Sequence, residues 1–264
     1  MRLAEMFAKA AADSRAALVG YLPAGYPSVA GAIDALRAMV DAGVDIVEVG
    51  LPYSDPLIDG PVIQQAVDAA LTAGTTTPDV LRTVEAVAEA GVPALVMSYW
   101  NPILRYGPER FARDLAAAGG AGTITPDLIP DEADDWLAAA RACDVDTIFL
   151  VAPSSTDERL VLTVQACRGF VYAASTMGVT GTRDQVGGAA EALVARVRPI
   201  TELPISVGLG VSSAAQAAEV AGFADGVIVG SAFVRRMLDA PDIVTAASSV
   251  ATLAAELAEG VRRR

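Results

Sequence analysis

Short apolar runs alternate with amphipathic stretches along the chain. The runs are rich in Val, Ile and Leu and are nearly continuous in apolar residues, which is typical of parallel strands buried on both faces. Strands are therefore predicted at residues 17–21, 45–49, 94–99, 122–125, 147–151, 170–174, 205–208 and 226–229.

The stretches between these runs carry apolar residues at helical spacing. In segment 77–90, Val80, Val84 and Val87 recur on one side, Pro78 stands in the first turn, and a glycine follows the end. Helices are predicted at residues 1–12, 28–42, 77–90, 108–118, 131–142, 156–167, 187–197, 212–221 and 242–260.

Strand–helix alternation repeated eight times predicts an α/β fold with a parallel sheet. Eight units close naturally into a (βα)8 TIM barrel, here a single domain over residues 1–264 with an extra N-terminal helix at the barrel floor. An open doubly wound sheet is the alternative. No Gly-x-Gly-x-x-Gly follows the first predicted strand, which counts against a dinucleotide-binding fold.

The charge and the hydropathy of the chain limit its partners. A net charge of −13 disfavours nucleic acids and anionic lipid surfaces. Residues 1–12 lack the continuous apolar region of a secretory signal. No apolar run approaches the roughly 18 residues that a membrane span needs. A cytoplasmic protein is expected.

Missing residue types restrict the chemistry further. The chain has no histidine, which excludes His-rich zinc sites and Ser-His or Cys-His nucleophiles. Its one lysine, Lys9, precedes the first predicted strand and is a poor Schiff-base candidate. Cys143 and Cys167 are isolated and are interpreted as small core residues. No metal site is predicted, so acid–base chemistry falls to carboxylates, tyrosines or water.

Glu48 is the leading catalytic candidate, because it is a lone carboxylate in an apolar strand and such a charge is costly to bury. Asp59 lies on the loop that follows the same strand, so both acids are expected at the C-terminal face of the barrel. Two carboxylates in different surroundings suit proton transfer. The alternatives are a structural ion pair with an arginine for Glu48 and an ordinary Asp-Gly turn for Asp59.

Glycine-rich segments follow the last three predicted strands, at residues 178–181, 208–213 and 230–232. Their backbone N–H groups, with short helices beginning near Ser212 and Ser231, favour a phosphate site over chance turns. Five strand residues, which could wall a flat apolar ligand or simply pack in the core, complete the candidate pocket: Tyr21, Met97, Tyr99, Leu150 and Tyr172.

Several motifs occur in the order found in one enzyme family. Residues 48–61, which read EVGLPYSDPLIDGP, closely resemble the signature of the tryptophan synthase alpha subunit. Further similar segments are YWNP at 99–102, PDL at 126–128, APSS at 152–155, GVTG at 178–181 and GLGV at 208–211. Together they cover nearly the whole chain.

The resemblance implies a barrel that cleaves indole-3-glycerol phosphate without a cofactor. By motif position, Glu48 and Asp59 match the catalytic acids. The substrate-binding positions implied are Tyr21, Tyr99, Tyr172, Thr180, Gly181, Gly210, Gly230 and Ser231. Within that set, Thr180 belongs to an active-site loop that would orient Asp59 on closure. Pro52 and Asp55 match a segment that contacts the beta subunit in an alpha2beta2 complex, to which indole passes.

Two other functions stay open from the sequence. One is a different phosphate-binding barrel lyase or isomerase, although such enzymes commonly use a histidine that this chain lacks. The other is a non-catalytic subunit that only activates a partner, which the presence of both Glu48 and Asp59 disfavours.

Overall fold

A parallel β-barrel forms the centre of the computed structural model, which describes residues 1–174, 188–208 and 210–262. Every strand pairing within these ranges is parallel, and the spatial order is β5-β4-β3-β2-β1-β9-β8-β7-β6. The strands are β1 Ala17–Pro23, β2 Ile46–Gly50, β3 Ala94–Met97, β4 Gly122–Ile124, β5 Asp146–Ile148, β6 Leu150–Val151, β7 Val171–Ala174, β8 Ile205–Gly208 and β9 Gly226–Val229.

The barrel closes at Phe149. The run predicted as one strand at 147–151 is divided there into β5, which pairs with β4, and β6, which pairs with β7. The Phe149 carbonyl still accepts a hydrogen bond from the Tyr172 N–H at 3.3 Å, so the two pieces act as one barrel strand. The predicted (βα)8 TIM barrel is confirmed.

The helices surround the strands, and several begin at the caps that the sequence contains. Ser28 caps α2 through the Gly31 N–H, and Asp242 caps α12 through the Thr245 N–H. The described helices are α1 Leu3–Ala12, α2 Val29–Asp41, α3 Pro61–Thr72, α4 Thr77–Glu89, α5 Trp100–Tyr106, α6 Pro108–Ala117, α7 Asp134–Ala142, α8 Asp157–Ala166, α9 Gly188–Val197, α10 Ala214–Ala221, α11 Ser231–Asp239 and α12 Ile243–Val261.

Helices α3 and α5 were not predicted, and α11 was predicted only by its start near Ser231. Helix α3 begins at Pro61 directly after the Asp59 loop, and α5 begins at Trp100 directly after the β3 segment. Both therefore start at the C-terminal ends of strands, where they fix the loops that carry the candidate site. Among the described helices, none is long and apolar enough to cross a membrane.

Two apolar clusters hold the fold together. The outer cluster lies between strands and helices and includes Val47, Val49 and Trp136. The inner cluster fills the lower barrel, where Phe7 of α1 packs on Phe170 with ring centroids 5.6 Å apart. The extra N-terminal helix is thus confirmed as the cover of the barrel floor.

An ion pair connects the residues that precede the first two strands, at the floor of the barrel. Asp45, just before β2, accepts two bonds from Arg15, at 2.6 and 2.9 Å, and a third from the Leu18 N–H at 2.9 Å. Because both side chains are largely buried, each charge depends on the other for compensation.

Candidate active site

Strand alternation turns Glu48 into the barrel. Ile46 belongs to the inner cluster while Val47 and Val49 belong to the outer one, so Glu48 faces inward with Ile46. The strand register places it level with Tyr21 of β1 and Leu95 of β3. The residue is 1% exposed, well shielded from water.

The surroundings of Glu48 favour its protonated form. Burial raises its pKa to about 8. Its Oε1 atom has no hydrogen-bond partner among the described residues, and no arginine of those ranges forms an ion pair with it. The structural ion-pair alternative therefore has no support in the described part of the chain. A buried, neutral carboxylic acid suits a proton donor.

Asp59 lies at the entrance to α3, two residues before Pro61. The Gln64 side chain donates to the Asp59 carbonyl at 2.7 Å, which holds the backbone of the loop against the first turn of the helix. Burial raises the pKa of Asp59, and a hydrogen bond from the Tyr99 hydroxyl opposes that shift. With 8% exposure and a tyrosine partner, Asp59 is more than an ordinary turn residue.

Two buried tyrosines lie near these acids. Burial raises the pKa of Tyr21 well above its usual value, and the nearby carboxylate of Asp59 and then that of Glu48 raise it further. Burial followed by the charge of Glu48 does the same to the pKa of Tyr172. Tyr21 therefore lies near both acids, and Tyr172 lies near Glu48.

Glycines make room for both rings. A Cβ added at Gly50 would lie 2.4 Å from the Tyr21 hydroxyl, and one added at Gly208 would lie 2.4 Å from the Tyr172 hydroxyl. Each tyrosine thus extends over the end of the neighbouring strand, where only a residue without a side chain leaves space.

The predicted phosphate residues fall partly within the described ranges. Gly230 is the N-terminal cap of α11, which has no side-chain cap, and Ser231 is its first residue. Gly210 adopts a positive φ of 70°. Backbone N–H groups at the start of α11 are available to an anion. Thr180 and Gly181 lie outside the described residues.

The predicted partner residues lie on the same face of the barrel. Asp55 is exposed, whereas Pro52 is buried within its own chain and lines a cavity of about 400 Å³ together with Thr76, Pro102 and Arg105. Any partner contact of Pro52 would therefore be made at the edge of this cavity.

Sequence reasoning missed the side chains that tie these loops together. Asn101 donates to the Tyr53 hydroxyl at 3.0 Å, and the Trp100 N–H donates to Asp127 at 2.8 Å. All of these residues stand in or next to the motifs, but their pairings join segments far apart in the chain and had no local signal.

Known proteins share both the sequence and the fold of this chain. A sequence model described as tryptophan synthase alpha chain matches residues 7–262. A tryptophan synthase alpha chain from Thermobifida fusca (strain YX) is 64% identical over 263 residues, covering 98% of this chain and 97% of that one. The corresponding protein of Nocardia farcinica (strain IFM 10152) is 63% identical over 261 residues, with 99% and 96% covered.

A solved structure agrees with these relatives. A chain in a structure of Mycobacterium tuberculosis tryptophan synthase superposes with a TM-score of 0.93 at 57% identity, covering 99% of this chain and 98% of that chain. The similarity therefore extends over the whole barrel.

Proposed function

The chain belongs to the tryptophan synthase alpha chain family, and we propose that Glu48 and Asp59 carry out the proton transfers of that family's reaction. The enzyme is a carbon–carbon lyase that cleaves indole-3-glycerol phosphate to indole and glyceraldehyde 3-phosphate in tryptophan biosynthesis. The observation that carries our assignment is the buried Glu48 carboxyl, whose pKa of about 8 leaves it protonated at neutral pH.

Glu48 begins the reaction as an acid. It donates its proton to the ring carbon that bears the glycerol chain, and the indole becomes an indolenine that accepts electrons. The resulting carboxylate then removes the proton of the adjacent chain hydroxyl. As that oxygen becomes an aldehyde, the carbon–carbon bond breaks and its electron pair restores the aromatic indole. Glu48 ends the cycle protonated, and such a positioned acid contributes about 10²- to 10⁴-fold to the rate.

Asp59 acts as the ionised partner. Its carboxylate accepts a hydrogen bond from the indole ring N–H and stabilises the positive charge that appears there after protonation. The Tyr99 hydroxyl helps to keep Asp59 ionised, since its hydrogen bond lowers the pKa of that carboxyl. The two acids thus occupy opposite protonation states in one pocket, which is a common arrangement in acid–base enzymes.

The remaining predicted residues would hold the substrate. In this proposal Tyr21, Tyr99 and Tyr172 wall the indole ring, and Gly210, Gly230 and Ser231 bind the phosphate at the start of α11. In the proposal Gly181 completes the phosphate site, and Thr180 orients Asp59 when the active-site loop closes. Neither cofactor nor metal is assigned a role.

The wider context follows from the same family. We place the whole chain, residues 1–264, in one barrel domain that works in the cytoplasm. Its partner is the tryptophan synthase beta subunit, with which it forms an alpha2beta2 complex and to which it passes indole. Exposed apolar side chains in the loops after β2 and β4 and in helix α5 after β3 support a partner surface beside Pro52 and Asp55: Leu57, Ile129 and Leu104 are 68%, 45% and 53% exposed.

The assignment is tested by measuring indole release from the isolated chain and from the chain with added beta subunit. Glu48→Gln should keep the fold and lose indole release in both assays, because a glutamine cannot donate the proton. Parental turnover by this variant would refute the role of Glu48. A parent that activates the beta subunit yet releases no indole would instead favour a non-catalytic subunit.

A further inference from the structure

The Tyr99 hydroxyl lies between two neighbouring groups of the loop after β2, residues 51–60, called the catalytic loop below. It accepts a hydrogen bond from the Ile58 N–H at 3.1 Å. Asp59 is the next residue of the loop; burial raises the pKa of its carboxyl and the Tyr99 hydroxyl lowers it. A phenol has one O–H and two lone pairs, so the Tyr99 hydroxyl accepts from the Ile58 backbone with one lone pair and keeps its proton for the neighbouring carboxylate. A single hydroxyl therefore fixes both the loop backbone and its carboxylate.

The Tyr99 ring is also held by contacts that do not involve its hydroxyl. Tyr99 is the N-terminal cap residue of α5, and its carbonyl accepts from the Ser98 hydroxyl at 2.8 Å. Its ring is buried and packs on Tyr53 with centroids 5.5 Å apart. Asn101, in the first turn of α5, holds the Tyr53 hydroxyl in turn. The phenol is thus anchored to the end of β3 and reaches across to the loop after β2.

We infer that Tyr99 is a positioning residue for the reaction, which holds the Asp59 carboxylate toward the substrate before the substrate arrives. This role goes beyond lining the indole pocket, and it rests on the function proposed for Asp59. A side chain held by its neighbours in the reactive geometry avoids the cost of ordering it at each turnover.

The hydrogen bond also has an electrostatic consequence. Burial raises the pKa of Asp59, whereas donation from Tyr99 lowers it. Since Asp59 must be a carboxylate to accept from the indole N–H, its pKa defines the acid limb of the pH profile. Removing the hydroxyl moves that limb to higher pH.

Tyr99→Phe separates the two roles, because it keeps the ring and removes only the oxygen. We expect kcat/KM for indole release to fall roughly 10- to 100-fold near neutral pH, as for the loss of a hydrogen bond to a charged group. The fall should lie mainly in kcat, and it should deepen as the pH is lowered. An unchanged acid limb would overturn the inference, as would a uniform loss at all pH values that matches a smaller folded fraction in thermal unfolding.

Tyr106→Phe is the matched control. Its hydroxyl also donates to a carboxylate, that of Asp114 at 2.9 Å, but Asp114 belongs to α6 and takes no part in the reaction. This variant should reproduce the parental pH profile, and a shift equal to that of Tyr99→Phe would count against a specific effect on Asp59.

Asp59→Asn, measured alongside the two tyrosine variants, distinguishes the proposed function of Asp59 from the positioning role of Tyr99. If it is as active as the parent, the function proposed for Asp59 fails, and the inference fails with it. If it is inactive while Tyr99→Phe behaves as the parent, only the positioning role of Tyr99 is wrong.

Discussion

The hydroxyl of Tyr21 occupies the space in which a side chain at Gly50 would begin. A Cβ built on Gly50 lies 2.4 Å from that oxygen and 2.7 Å from two ring carbons, closer than real Cβ contacts come. Gly50 ends β2 two residues after Glu48, so this contact places the Tyr21 ring against the strand that carries the proposed acid. The missing side chain at Gly50 therefore leaves room for an aromatic ring near the two proposed catalytic acids.

Gly50→Ala should impair catalysis by pushing Tyr21 out of place. We expect kcat/KM to fall about 10- to 100-fold, since a displacement of about 1 Å in an active site has effects of this size, and the overpacking to cost about 1–3 kcal/mol of stability. Steady-state kinetics and urea unfolding measure the two effects. Gly188→Ala is the control, because nothing lies within 4 Å of its added Cβ. Equal behaviour of the two variants would contradict the steric argument.

Activity should decline at high pH as Glu48 ionises. The proposed mechanism needs a protonated Glu48, whose pKa is about 8, so kcat/KM is expected to decline as the pH rises through that value. Asp59 must be ionised, so activity should also decline in acid. Indole release measured from pH 5 to 9.5 would show the bell. A rate that keeps rising above pH 9 would argue against Glu48 as the acid.

The same ionisation should appear in the stability of the protein. The folded pKa of Glu48 lies above the unfolded value of about 4.3, so its favourable contribution is complete below pH 4.3 and is lost as the pH rises through about 8. Glu48→Gln removes the cost of burying a carboxyl that is ionised in the unfolded chain. At pH 8 the variant should be more stable than the parent by on the order of 3 kcal/mol, with a smaller difference at pH 5. Urea unfolding at both values tests this, and a difference that does not depend on pH would refute it.

The Arg15–Asp45 pair should matter far more than the exposed ion pairs. Arg15→Ala leaves a buried carboxylate without its partner, and we expect a loss of about 3 kcal/mol. Arg37→Ala removes a guanidinium from Glu89 at 3.3 Å on the surface and should cost less than about 1 kcal/mol. Denaturant unfolding compares the two. Similar losses would mean that burial does not govern this pair.

The apolar side chains at the catalytic face should be required by the partner. Leu104→Asp is expected to weaken binding of the beta subunit by at least about tenfold, because an interface excludes an unpaired charge. Val244→Asp is the control, because Val244 is 77% exposed and belongs to α12 rather than to the segments after β2, β3 and β4. Titration by calorimetry provides both affinities, and parental binding by Leu104→Asp would remove that residue from the proposed surface.

Local sequence patterns were sufficient to predict most of the strands and helices. Strand β2 and helix α2 were predicted within a residue of their observed bounds, because buried strands and amphipathic helices leave clear periodicities. Helix α5 was missed, since it is 7 residues long and follows a strand directly. Such a short helix owes its stability to tertiary packing more than to its own sequence.

The sequence by itself determined the eightfold alternation, and with it the face on which Glu48 and Asp59 stand. Only the tertiary structure decided the protonation states of these two acids. The pKa of Glu48 depends on how completely the barrel excludes water, and that of Asp59 depends on its burial and on Tyr99, which is 40 residues away in the chain. Periodicity reports short-range order, whereas desolvation and long-range hydrogen bonds exist only after the chain has closed on itself.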